Sequence, residues 1–198
     1  MSEYRRRLPH FQPTDRYLFL TWRLWGSLPN KPDFAVFPTP GHAFVAHDRM
    51  LDRHPSGPRW LQDPAIADLV ARAILRGDSG RHFYHLCAWV VMPNHVHLLI
   101  LPRVPTPEIT RWLKGSTARA ANRIIGRTGL PFWQDESYDH YLRNSEQISR
   151  TMAYIEQNPV SAGLVDSVEL WRWSSTGWQA ETPAPPNHHN LDPNAAPT

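Results

Sequence analysis

Residues 82–102, HFYHLCAWVVMPNHVHLLILP, hold two runs of β-forming residues on either side of Pro93–Asn94. Valine, isoleucine and the aromatic residues fit a pleated, half-buried surface, and a proline followed by an asparagine suits the centre of a tight turn. The stretch reads as a hairpin, about Phe83–Met92 and His95–Leu101.

The segments around the hairpin supply the other elements. Upstream, Tyr17 to Trp25 reads as a strand with Leu18, Leu20, Trp22 and Leu24 on one apolar face and Gly26 ending it. Residues 27–62 are irregular and proline-rich, a long surface excursion. A helix follows, with Asp63 as N-cap, Pro64 at its first position, Gly77 just past its end, and Ile66, Leu69, Val70, Ala73 and Ile74 as its core stripe. Downstream, a second helix opens at Thr106 with Pro107 behind it and runs to about Arg127. The aromatic segment FWQDESYDHYL (132–142) is expected to form another hairpin. A third helix begins at Asn144 or Ser145, where Asn144 and Gln147 have capping-box spacing. It is expected to stop near Asn158, because Pro159 disfavours helical geometry in the residue before it. The order βαββα(ββ)α implies an antiparallel sheet with helices packed on it, an α+β fold.

The 198 residues are 41% hydrophobic, which suffices for one core, and show no internal repeat. One domain is expected over 1–180. Residues 181–198, ETPAPPNHHNLDPNAAPT, carry five prolines and Leu191 as their single large aliphatic residue, so a disordered tail is expected, with His188 and His189 in solvent. No stretch reaches the roughly 18–20 consecutive apolar residues of a membrane span. The start, MSEYRRRLPHF, lacks the apolar region of a signal peptide, which points to the cytoplasm. Cys87 is the single cysteine, excluding an internal disulfide and a cysteine-based zinc knuckle. The net charge is +3, and of the 21 cations only Lys31 and Lys114 are lysines. Arginine's planar fork suits phosphate, but GC-rich codon usage also enriches arginine; the composition permits a nucleic-acid partner without requiring one.

Three groups of residues could carry chemistry. His95 and His97, two apart on a strand, project from one face, the geometry two imidazoles need to grip a metal; a half-buried pair bonded locally is the other reading. A metallo-hydrolase of the H-x-H-x-D-H kind is excluded by Leu98–Leu99–Ile100, and an amidohydrolase barrel by chain length, since such barrels take about 250 residues. On the third helix, Ile148, Met152 and Ile155 form the core side, whereas Tyr154 points roughly 120° away beside Arg150 and Asn158, with Gln147 between them in azimuth. The second helix carries Arg111, Lys114, Arg119, Arg123 and Arg127, three of them at i,i+4 spacing. This stripe is either a solvated face or a phosphate-tracking surface, which Arg5, Arg6 and Arg7 would extend. Most of the nine tryptophans, Trp22 and Trp89 among them, are expected in the core.

The strings VVMPNHVHLLI (90–100), KGSTARAANR (114–123), FWQDESYDHYLR (132–143) and YIEQNPVSAGLV (154–165) resemble the REP-associated tyrosine transposases, single-tyrosine members of the HUH endonuclease superfamily. The resemblance covers about residues 15–178 and implies a ferredoxin/RRM-like HUH fold. It implies that His95 and His97 bind a divalent metal, Mg2+ or Mn2+, that Asn158 helps complete the site, and that Tyr154 is the nucleophile; Gln157 lies on the far side of the helix. Two imidazoles and an amide ordinarily suit softer ions than magnesium, so substrate phosphate and waters would help hold it. Arg150, one turn before Tyr154, is expected to steady phosphate. The implied activity is cleavage and strand transfer of single-stranded DNA bearing hairpins (repetitive palindromic elements), through a 5′-phosphotyrosine, in DNA transposition. A monomer or homodimer acting at the bacterial nucleoid is implied. The competing reading is a catalytically silent single-stranded DNA or RNA binder on the same fold.

Overall fold

The structure is a computed structural model that describes residues 16–28, 50–51 and 57–178. Arg5, Arg6, Arg7, most of the 27–62 excursion and the 181–198 tail lie outside the described residues. The elements are β1 (Leu18–Arg23), α1 (Pro64–Ser79), β2 (Tyr84–Val91), β3 (His95–Pro102), α2 (Thr106–Ile124), β4 (Tyr138–Tyr141) and α3 (Ser145–Ser161). The strands form one antiparallel sheet in the order β2-β3-β1-β4. This is the expected α+β architecture.

The central pair, β1 and β3, has a buried side chain on both faces, because helices cover both. Leu18, Leu20 and Trp22 of β1 join Val96, Leu98 and Ile100 of β3 in a core closed by Ile66, Val70 and Ile74 of α1 and Ile109 and Leu113 of α2. Their alternates, Phe19 of β1 and Leu99 of β3, point to the other face, into a smaller core with Ile155 of α3. Trp22 and Trp89 are both core residues. On β2, a register irregularity between Leu86 and Ala88 leaves Cys87 as an extra residue. The bulge shifts the phase of the strand, so that Tyr84 and Leu86 before it and Trp89 and Val91 after it all face the larger core.

The Pro93–Asn94 turn lies inside the protein. Its Asn94 carbonyl accepts from Leu24 N (2.8 Å) and its Pro93 carbonyl from Leu61 N (3.2 Å), so neighbouring segments roof the tip of the hairpin. The outer edge of β2 is covered by the stretch after α3: Val91 N donates to Trp173 O (2.8 Å) and Ser175 N to Trp89 O (2.9 Å).

Four local expectations are corrected. Residues 132–142 do not fold back on themselves as a hairpin. Both halves pair with β1 instead, Trp133 through a bridge to Leu24 and β4 through Tyr138 opposite Thr21. Between them the loop is held by Lys114, whose Nζ donates to Asp135 O (2.9 Å) and Ser137 Oγ (3.1 Å). The open edge of β1 offers a longer ladder than two short strands could offer each other. The helix α1 does not end at Gly77 but continues to Ser79, with Gly80 at its C-cap. Gly77 serves packing: a Cβ there would run into the Tyr84 phenol, whose hydroxyl donates to Ile74 O (2.7 Å). The helix α2 ends at Ile124, short of Arg127, because Gly126 takes a left-handed φ of 67° and Arg127 N turns back to Asn122 O (2.8 Å). Finally, α3 runs through Pro159 to Ser161. In its last turn the proline forfeits one bond, while Ala162 N still reaches Asn158 O (2.9 Å) and Leu164 N reaches Pro159 O (2.9 Å). The start of α3 is as expected: Asn144 Oδ1 accepts from Gln147 N (2.9 Å), and Gln147 Oε1 reaches back to Arg143 N (2.8 Å).

Two glycine-to-alanine changes separate packing from helix propensity. Gly77→Ala displaces the buried Tyr84 hydroxyl and should lower unfolding free energy by about 1–2 kcal/mol despite the better helix former. Gly115→Ala in α2, where an added Cβ meets nothing within 4 Å, should raise it by about 0.5–1 kcal/mol. Urea unfolding of the two variants beside the wild type checks both signs.

Candidate active site

The alternation of β3 that sends Val96, Leu98 and Ile100 into the larger core sends His95, His97 and Leu99 to the face covered by α3. Both imidazoles are fully buried, and their Nε2 atoms stand 3.0 Å apart. Each ring is anchored from behind. His95 Nδ1 lies 2.7 Å from Asn94 Oδ1, and His97 Nδ1 lies 2.8 Å from Thr21 Oγ1, contributed by the residue directly opposite on β1.

Tyr154 and Asn158 come to this pair from α3. The ring of Tyr154 meets that of His97 edge-on with centroids 5.8 Å apart, and Asn158 Nδ2 lies 3.4 Å from His97 Nε2. Asn158 is buried and Tyr154 half-buried, while Gln157 is exposed. The helical wheel placed the tyrosine–asparagine edge outside the core of its own helix; in the structure that edge faces the sheet together with Ile155. A helix laid flat on a sheet covers a wide arc, so both sides of the stripe touch it. Phe19 of β1 is the hub of the packing. It stacks on His97 (5.7 Å) and takes edge contacts from Tyr154 (6.3 Å) and from Tyr138 of β4 (6.2 Å).

The donor set fits a divalent cation. Two imidazole nitrogens converge, a carboxamide sits beside them, and both rings are held by a second atom, as metal-bound histidines usually are. Among the described residues no three histidine, cysteine or acidic side chains are grouped so that they could hold a metal ion. A cation here would rest on His95, His97 and Asn158, with its other positions left to oxygen ligands from solvent or substrate.

The basic residues are distributed differently. The helix α2 packs on the opposite face of the sheet, so the exposed Arg111, Arg119 and Arg123 are separated from the histidines by the sheet itself. Lys114 is engaged with the 135–137 loop, and Arg127 lies over the Trp60 ring at 4.6 Å. Arg150 alone of the described set shares a helix with Tyr154; it is exposed and pairs with Glu146 at 3.6 Å.

Sequence reasoning missed Thr21, Phe19, Asn94, Tyr138 and His140. The positions opposite the apolar stripe of β1 were the available signal for the first two. The register places Tyr138 opposite Thr21 and His140 opposite Phe19, so both belong to the site-facing side of β4. Burial, with a smaller contribution from Asp139, raises the Tyr138 phenol above its ordinary value. Burial and then the Arg143 charge lower the His140 imidazole, against a smaller opposing effect of Asp139.

The family model described as "Transposase IS200 like" matches residues 65–158, a stretch that takes in the histidine pair, Tyr154 and Asn158. The chain is similar to a REP-associated tyrosine transposase of Escherichia coli (strain K12), 29% identical over 109 residues, or 54% of this chain. The aligned stretch spans 62% of that relative's length. Among solved structures, a REP-associated tyrosine transposase bound to a REP hairpin superposes with a TM-score of 0.52 at 22% identity, covering 89% of this chain and 84% of that one. A Deinococcus radiodurans R1 protein aligns over 72% of this chain and 89% of its own at 19% identity, with a TM-score of 0.39. The family match and the two REP-associated relatives bear out the resemblance to REP-associated tyrosine transposases. Among the described residues no helix is long and apolar enough to cross a membrane.

His140 offers a local check on the electrostatics. Its folded pKa is depressed, so the unfolded chain binds the proton more readily, and the stability it contributes falls as pH drops below the ordinary histidine value. The His140 Cε1 proton resonance should titrate with a midpoint below about 6.5. In Arg143→Ala that midpoint should rise.

Proposed function

We propose that this chain, which resembles the REP-associated tyrosine transposases, is a metal-dependent single-strand DNA endonuclease and strand transferase acting on hairpin-bearing DNA. The observation that carries the reading is the meeting of Tyr154 and Asn158 of α3 with the His95–His97 pair of β3. A tyrosine beside a metal-competent histidine pair has the parts for nucleophilic attack on a phosphoryl group.

His95, His97 and Asn158 would hold the cation, Mg2+ or Mn2+, which when bound would withdraw charge from the scissile phosphate and help orient it. The Tyr154 oxygen forms a bond to phosphorus in line with the departing 3′ oxygen. The P–O3′ bond breaks, the phenol gives up its proton to solvent, and the 3′ oxygen takes one up. The products are a 5′-phosphotyrosine and a free 3′-hydroxyl. One phosphoester replaces another, so a different 3′-hydroxyl can reverse the step, giving cleavage and joining without a nucleotide cofactor. Phe19 and His97, stacked on each other, both pack against the Tyr154 ring, limiting the freedom lost on reaching the attack geometry.

Arg150, exposed one turn before Tyr154, would meet a flanking phosphate. The stripe Arg111, Arg119 and Arg123 lies across the sheet and can meet only DNA that passes around the domain, such as a hairpin stem; Arg127 and Lys114 have local partners first. The substrate class is single-stranded DNA flanked by hairpins of the repetitive palindromic kind, bound by a monomer or homodimer in the bacterial cytoplasm. Affinity should depend strongly on salt.

A labelled hairpin oligonucleotide incubated with Mn2+ should yield a protein–DNA adduct that survives denaturing electrophoresis in the wild type and is absent in Tyr154→Phe. Adduct in Tyr154→Phe would sink the mechanism. Binding without adduct across a panel of hairpins and metals would favour the silent binder. Arg150→Ala removes an exposed pair and should change stability by less than about 0.5 kcal/mol. It should reduce the slope of log affinity against log salt by about one.

A further inference from the structure

We propose that Asn94 is a positioning residue that locks His95 in the tautomer with its hydrogen on Nδ1 and an acceptor at Nε2, and that the backbone of Leu51 sets Asn94 in turn. The proposal rests on the reading of His95 as a metal ligand and names what fixes that ligand.

Asparagine is not demanded here by the turn. Among the described residues His82 is the one non-glycine residue with positive φ, so Asn94 occupies ordinary backbone space. Its side chain is 2% exposed. A buried carboxamide has a donor end and an acceptor end, and their assignment follows from the partners. The Leu51 carbonyl can only accept, and Asn94 Nδ2 lies 2.8 Å from it, so the amide nitrogen faces Leu51. The amide oxygen then faces His95 Nδ1 at 2.7 Å. That oxygen also can only accept, so Nδ1 carries the hydrogen. A neutral His95 therefore presents an unprotonated Nε2, 3.0 Å from His97 Nε2.

His97 differs. Its Nδ1 faces the Thr21 hydroxyl, which can donate or accept, so that contact by itself is compatible with either tautomer. The site thus pairs a pre-set ligand with an adaptable one. With a cation bound, the His97 hydrogen would belong on Nδ1, bonded to Thr21. The long segment between β1 and α1 also gains a task. Leu51, fully buried, supplies the acceptor that orients the whole relay from outside the sheet.

The test uses the full chain with 15N-labelled histidine and no metal, followed by Mn2+ titration monitored by electron paramagnetic resonance. In the wild type His95 should show a pyrrole-type Nδ1 and a pyridine-type Nε2. Asn94→Ala should lose that preference and bind Mn2+ about 10- to 100-fold more weakly. Asn94→Asp, whose carboxylate accepts the same hydrogen, should restore the tautomer, which a merely space-filling role would not require. A wild-type His95 protonated at Nε2, or Asn94→Ala keeping both the tautomer and the Mn2+ affinity, would overturn the proposal. Should Asn94→Ala fail to fold, the wild-type spectrum and the Asn94→Asp rescue decide. Should the wild type bind no Mn2+, the metal reading fails by itself, and the His95 spectrum still decides the lock.

Discussion

Thr21 stands opposite His97 because β1 and β3 pair antiparallel from Leu18–Ile100 to Arg23–His95. A slip of one residue would exchange the faces of every side chain on β1 and set Leu20 or Trp22 where Thr21 now meets an imidazole. That slip is forbidden by burial on both sides. Leu18, Leu20 and Trp22 have a core to fill under α1 and α2, and Phe19 has its own place beneath α3. Hydrophobic packing that has no part in chemistry thus determines which polar atoms meet at the histidines. The bulge at Cys87 does the same for β2, restoring its apolar phase halfway along.

The two faces of the sheet divide the labour. One face is a large apolar core with two helices and carries stability. The other is smaller and mixed, with Phe19, Leu99 and Ile155 around two imidazoles, a phenol and a carboxamide. The cost of burying that many polar groups is offset by contacts among them: Asn94 with His95 and Leu51, Thr21 with His97, and Asn158 Nδ2 with His97. The result is a preorganised site on a central strand rather than on a loop. Among the described residues arginine is largely absent from it, and Arg150 lies on the site helix, paired with Glu146.

What could be read in the sequence was what depends on neighbours in the chain. The hairpin, the common face of His95 and His97, the Asn144 cap and the shared edge of Tyr154 and Asn158 all follow from periods of two or 3.6 and from turn chemistry. The order of motifs then tied these pieces to a family. What could not be read depends on partners far away in sequence. Thr21 and His97 are separated by 76 positions, and Leu51 and Asn94 by 43. The 132–142 segment has hairpin composition, yet the open edge of β1 captures both halves. Gly77 has the spacing of a helix terminator, yet Tyr84, folded back from β2, is the reason it is glycine. The arginine stripe on α2 is regular, but no local pattern tells which face of the sheet its helix will cover.

The central claim is that Tyr154, presented to the histidine pair by α3, is the residue that takes the DNA. The most direct measurement is mass spectrometry of peptides from protein reacted with a hairpin oligonucleotide and Mn2+, after nuclease trimming of the DNA. The account predicts a 5′-linked nucleotide on Tyr154 and on no other tyrosine. Tyr138 shares the Phe19 ring with Tyr154 and is the natural competitor. A nucleotide carried by Tyr138, or by any residue other than Tyr154, would contradict it.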